Sequence, residues 1–306
     1  MINIRLLFVA TLVTMTLNAS AALAESGFDL SLSAGYRRDT LDWNIAGDTS
    51  GANPNILSEL AWKNIKSEQL KLTGKANIKD VVVVRGYADY GWIYSGENQD
   101  SDYLADNRAG EYSRSNNRSD SGNVSDYSIG GGFPARYASP EGIIQFAPMV
   151  GWSQHRQNLR ITDGYQTIPA TGAFKGLDSS YKARWHGPWY GVDLGYKHPR
   201  FTVSGAFEYH FQSKFYATAN WNLRGDFQHP RSFEHFADGK GRIGSLDAAF
   251  VLTKRISLIA EARYQKWRAE NGIDRTYFSN GVIADTRLNE VNWTSYDLMA
   301  GAMLSL

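Results

Sequence analysis

The sequence predicts an all-β protein, a closed antiparallel transmembrane β-barrel of about ten strands. Three observations carry that expectation. Apolar residues recur at every second position in segment after segment, polar connections alternate between short and long, and past the first two dozen residues no apolar run is long enough for a membrane-spanning helix. An aromatic content of 13% with 29 glycines suits strands and tight turns better than a helical core.

Residues 1–24 read as a signal peptide, with Arg5 as a positive n-region, residues 6–17 as the apolar stretch and Ala22-Leu23-Ala24 as the cleavage signal. The stretch is shorter than the roughly twenty residues that a bilayer-spanning helix needs. The barrel domain is then 25–306, exported to an oxidising compartment, and with no cysteine it has no disulfide framework. The chain carries 32 Lys+Arg against 31 Asp+Glu, and without Arg5 the balance is 31 against 31. A neutral chain argues against nucleic acid as a partner, because that binding needs a basic excess.

Taking the strands in order, Phe28, Leu30, Leu32, Ala34 and Tyr36 share one face while Asp29, Ser31, Ser33 and Gly35 take the other. Tyr190, Val192, Leu194 and Tyr196 repeat the pattern against Asp193. Phe201, Val203, Phe207, Tyr209 and Phe211 do so against Thr202, Ser204, Glu208 and His210. Leu246, Ala248, Phe250 and Leu252 oppose Asp247, and Ile256, Leu258, Ala260 and Tyr264 oppose Glu261, Arg263 and Gln265. One face meets oil and the other water. A soluble sandwich could hide such faces between two sheets, but the connections favour a barrel.

Short connections at Lys79-Asp80, Ser139-Pro140-Glu141-Gly142, His198-Pro199-Arg200 and Thr253-Lys254-Arg255 alternate with long ones near 39–55, 97–122, 161–180, 221–240 and 272–288. One end of the sheet therefore faces the periplasm and the other the outside, which places the protein in a bacterial outer membrane. In lipid every backbone polar group must be paired, so the sheet has to close. The last strand is expected over 293–306, although Leu306 is not the aromatic residue with which such barrels commonly end, and Pro148 marks a bulge or a locally unpaired position. Residues 113–122 are poor in apolar side chains and read as a mobile loop, with Arg114 and Arg118 solvated. Arg85, Tyr87, Asp89, Glu208, His210, Glu261 and Arg263 read as an interior polar network, so a diffusion porin is disfavoured.

Within the 97–122 connection, Asp100 and Asp102 stand one residue apart. Asp is a common loop residue that bonds its own backbone, so the pair gains meaning only from its surroundings. Crowded carboxylates raise one another's pKa and can hold a shared proton.

Ser58-Glu59-Leu60-Ala61-Trp62-Lys63, the stretch from Gly96 to Tyr103, Tyr181-Lys182-Ala183-Arg184 followed by Pro188-Trp189-Tyr190-Gly191, and the hairpin through Phe207-Glu208-Tyr209 together resemble the omptin family of outer-membrane endopeptidases. The likeness runs over nearly the whole barrel domain. It implies a ten-stranded barrel with a groove at the outer rim, where an aspartate pair faces an Asp-x-His unit across a nucleophilic water and polypeptides are cut near basic residues. Asp100 and Asp102 match the pair. The Asp-x-His positions fall on Ala219-Asn220-Trp221, and Trp cannot take a proton from water. Asp226 with His229, one residue too widely spaced for the family pattern, is the expected substitute, with His235 after Glu234 a second candidate base. The resemblance also implies lipopolysaccharide as an activating lipid, bound by Arg156, Arg184 and Trp152 near the headgroups, whereas snorkelling of those side chains would look the same. No other cofactor and no metal is expected.

Two readings follow: an omptin-like endopeptidase using Asp100, Asp102, Asp226 and His229, or a catalytically inactive barrel serving as a surface adhesin or binding protein. A monomer is expected in either case, because a closed barrel has no free edge.

Overall fold

The computed structural model describes residues 27–306, so the leader read at 1–24 lies outside the described residues. The strands are β1 (Gly27–Ile45), β2 (Ser58–Ile78), β3 (Val82–Ala105), β4 (Ala109–Arg118), β5 (Gly122–Gly132), β6 (Ala135–Ala138), β7 (Ile143–Ile168), β8 (Gly172–Ala173), β9 (Asp178–Lys197), β10 (Phe201–Asn220), β11 (Phe233–Val251), β12 (Ile256–Tyr277) and β13 (Ile283–Ser305). β4, β5 and β6 succeed one another along a single stave beside β7, and β8 is a short arm on β7, so the wall has ten staves. Every pairing is antiparallel. β13 pairs with both β12 and β1, which closes the ring.

The alternation read from sequence is the lipid face. Leu32, Ile129, Val150, Leu194, Phe207, Leu246, Leu258 and Leu298 are all exposed on the outer wall. The short turns fall where expected, and Lys79 and Asp80 both adopt positive φ at the β2–β3 turn. Pro148 sits beside the break between β5 and β6, where its neighbouring stave offers no ladder partner, as expected of a residue without an N–H.

The long connections are shorter than the sequence suggests. The connection expected over 97–122 is largely strand: β3 runs on to Ala105 and returns as β4, which pairs with β3 and β7 and takes in residues 113–118 of the stretch read as a mobile loop. Above the lipid both faces of a strand meet water or a packed interior, so apolar alternation fades while the backbone ladder continues. Polarity there is a sign of height, not of disorder.

The lumen is filled in layers. Arg37 lies fully buried among Asp39, Asp126 and Asp89 at 2.9, 2.9 and 3.8 Å, and Arg263 joins Asp89, Asp126 and Asp297. His155 Nδ1 lies 3.1 Å from Asp126, His210 Nε2 lies 3.2 Å from Glu208, and Arg85 ties Glu208 to Asp193. Lys71 meets Glu261, and Tyr87 lies between the Lys71 and Arg263 cations. The expected interior network is therefore present, and it also includes His155. Above it Trp185, Trp267 and Trp293 pack ring to ring. Below, Trp189 lies flat against Gly130 and Gly151, where a Cβ would stand 2.4 and 2.3 Å from the indole. Towards the rim an apolar core continues through Leu41, Trp43, Leu60, Trp62, Tyr181, Phe233 and Leu288.

Candidate functional site

Asp100 and Asp102 stand on the upper part of β3, and a register shift decides which way they point. Lower on the strand Asp89 faces the lumen, and strict alternation from there would turn even-numbered residues outward. The β2–β3 pairing slips between Lys63 and Ser67, opposite Ile93 and Ser95, and Asn64 takes φ 55°. Beyond that bulge Asn98, Asp100 and Asp102 share the face of their cross-strand partners Trp62, Leu60 and Ser58, which is the inner one. β10 carries a matching slip between His210 and Ser213, after which Phe215, Ala217 and Ala219 point inward. Trp221 follows on that side, its ring 4.7 Å from Phe233 and its backbone N–H donating to Ser232 Oγ at 2.9 Å.

The pair is flanked by Ser58 and Ser113, the cross-strand partners of Asp102, and by the Trp221 indole beside Asp100, with Arg224 within electrostatic reach of both carboxyls. Burial, and then the charge of Asp102, push the Asp100 carboxyl up to about 8, so it is protonated at neutral pH. Burial also raises Asp102, opposed by Ser58, Arg224 and Ser113. Tyr112 lies close enough for the pair's charge to raise its phenol, after burial. The site can thus hold a proton between two carboxyls and offers hydroxyl, indole and guanidinium donors.

The other expected members lie elsewhere on the rim. Asp226 is exposed and accepts from Nε and Nη2 of Arg224, at 2.9 and 2.8 Å. His229 is exposed and its Nδ1 stands 2.7 Å from Asn220 Oδ1. His235 is fully buried, its Nδ1 2.9 Å from the Tyr181 hydroxyl and its Nε2 3.2 Å from Asp274. It belongs to the aromatic core with Trp43 and Phe233, not to an exposed loop. Ser58, Ser113, Tyr112 and Arg224 carry no motif in the sequence that would mark them as neighbours of the pair. Their signal is the cross-strand register, which the β2 bulge hides.

On the outer wall, Arg156 of β7 and Arg184 of β9 are direct cross-strand partners, and neither forms an ion pair among the described residues. The Arg184 guanidinium lies over Tyr216 at 5.4 Å. Trp152, lower on β7 and opposite Pro188, lines a groove of about 960 Å³ with Lys240, Arg242 and Lys266.

A closed ten-stave wall with an oily belt, a filled lumen and a carboxyl pair at its mouth defines an outer-membrane β-barrel protein. The chain belongs to the Protochlamydia outer membrane protein family, whose model matches residues 31–305. No curated protein matches it. Among solved structures it is similar to the outer membrane protease OmpT from Escherichia coli, with a TM-score of 0.76 and 14% identity over 92% of this chain and 97% of that one. The translocator domain of the autotransporter NalP from Neisseria meningitidis is also similar, at 14% identity over 96% and 95% of the chains, with a TM-score of 0.36. At these identities the likeness to OmpT is one of fold.

Proposed function

We propose that this barrel is a surface binding protein whose rim site, Asp100 with Asp102, receives a cationic group of a polypeptide and does not cut it. One observation carries the reading: the ring beside Asp100 is the indole of Trp221, not an imidazole. An indole donates and cannot accept a proton, so the pair has an orienting partner but no base. Asp226 is engaged by Arg224 and His229 contacts Asn220, which supports the same conclusion.

Hydrolysis near basic residues is the second reading, and the proton shared by Asp100 and Asp102 favours it, since such a pair can position a water. Lipopolysaccharide would act as the activating or stabilising lipid in either case. Arg156 and Arg184 would grip a phosphate, which relieves the repulsion of two like charges set opposite each other, while Trp152 would rest among acyl chains. The protein would work as a monomer.

The test is to refold the barrel with lipopolysaccharide and titrate it with peptides carrying basic residues, following binding and cleavage together. Binding without cleavage, weakened at least tenfold by Asp102→Asn, is the expected result. Cleavage abolished by Asp102→Ala would instead establish the hydrolase, and neither binding nor cleavage would overturn both.

A further inference from the structure

The loop 221–232 carries Arg224, whose charge also reaches the aspartate pair, on an exposed tip that extends beyond the rim site. At its tip Arg224, Gly225 and Asp226 are all exposed, with the Arg224 and Asp226 side chains each 53% accessible, and a Cβ at Gly225 would meet nothing within 4 Å. The base is held firmly. Phe227 donates to the Arg224 carbonyl and Ser279 to the Asp226 carbonyl at 3.0 and 2.9 Å, Gln228 donates to Tyr277 at 2.8 Å, and the Phe227 and Phe278 rings meet edge to face at 5.6 Å. The short turns lie at the opposite end of the barrel, so this tip points away from the cell.

We infer that Arg224-Gly225-Asp226 is a docking element for a metal-dependent adhesion receptor on another cell. The Asp226 carboxylate completes the coordination of a divalent cation held by the receptor, and the Arg224 guanidinium enters a carboxylate pocket beside it. Both chemistries fit: a hard divalent cation takes carboxylate oxygens, and a guanidinium fork matches a carboxylate with two parallel hydrogen bonds. The glycine between them presents no side chain to an approaching surface. Arg224 holds the Asp226 carboxyl below its usual range, so it reaches the receptor ionised. In the free protein the two side chains pair with each other and the Arg224 guanidinium lies over the Phe227 ring, but an exposed ion pair of this kind is weak and exchanges readily for receptor partners. The inference rests on the binding-protein reading and adds a second contact point to it.

The experiment places the barrel, in lipid nanodiscs, over an immobilised receptor ectodomain selected for Mg²⁺-dependent binding of a cyclic Arg-Gly-Asp peptide. Saturable binding is expected, abolished by EDTA and displaced by the free peptide. Asp226→Glu should weaken it at least tenfold, since a longer side chain misplaces the carboxylate. The double change Arg224→Asp with Asp226→Arg keeps the ion pair and the net charge but reverses the order, and should abolish binding while folding, checked by heat-dependent gel mobility, is retained. Binding that survives the reversal is charge attraction alone and overturns the inference, as does absence of binding to a receptor active towards the cyclic peptide. Basic-peptide binding at the rim, measured on the same preparation with and without Asp102→Asn, separates failure here from failure of the binding-protein reading.

Discussion

The Trp221 indole stands beside the Asp100 carboxyl at the mouth of the barrel, bringing the upper end of β10 to that of β3. Two bulges make the meeting possible, one turning Asp100 inward and the other doing the same for the end of β10. The indole favours the ionised form of a carboxyl that burial and Asp102 otherwise keep neutral. Replacing it by Trp221→Phe should move the Asp100 titration further above 8, read from the carboxylic acid band in infrared spectra taken across a pH series.

Asp100 also sets a pH dependence. Its folded pKa of about 8 lies above the ordinary carboxyl value, so between roughly pH 4 and 8 the folded chain holds a proton that the unfolded chain has released. Stability therefore falls as pH rises through that window, and the penalty is complete above it. Asp100→Asn should stabilise the barrel at about pH 9 and do little at about pH 4. A factor of ten in protonation is about 1.4 kcal/mol, so a difference on the order of a few kcal/mol is expected. Urea midpoints at the two pH values measure it, and equal effects at both would show that Asp100 titrates normally.

Arg37 is the centre of the interior charge layer, fully buried against three carboxylates. Arg37→Met leaves Asp39, Asp89 and Asp126 with less compensation and should cost about 3–5 kcal/mol. The observable is a lower urea midpoint or a lower temperature for the gel-mobility change.

Trp62 is completely buried and stacks on Tyr181 with ring centres 5.1 Å apart. Trp62→Ala should cost about 3–5 kcal/mol through the cavity it leaves. Because Trp62 is a cross-strand partner of Asn98, two residues from Asp100, rim binding should weaken as well.

On the wall, Arg156→Gln with Arg184→Gln should reduce binding of phosphorylated lipid by about tenfold or more, because a hydrogen bond from a charged guanidinium to phosphate contributes about 1.5–3 kcal/mol. Lipid retained on the purified protein, quantified by mass spectrometry, checks this. Unchanged retention would make the two arginines ordinary snorkelling side chains.

Closure, strand number, the lipid face and the periplasmic turns are legible in the sequence because period-two alternation is imposed by the bilayer, as Phe207 outward and Glu208 inward on β10 illustrate. The part above the lipid is not. Nothing there enforces alternation, so β4 has the composition of a loop, and His235, a few residues into a polar stretch, has the setting of an exposed side chain although Tyr181 and Asp274 enclose it. The bulges at Asn64 and after His210 carry no compositional mark, yet they decide which side chains surround Asp100. Arg224-Gly225-Asp226 is plain in the sequence, but only its exposure gives it meaning.

The tryptophan layer of Trp185, Trp267 and Trp293, seated over the buried charges around Arg37, has a physiological corollary. With side chains filling the upper bore, such a barrel should carry little ionic current across a planar bilayer. A cell could then crowd its envelope with copies without becoming permeable to antibiotics or losing periplasmic solutes, so leakage would set no ceiling on how much of the protein it displays.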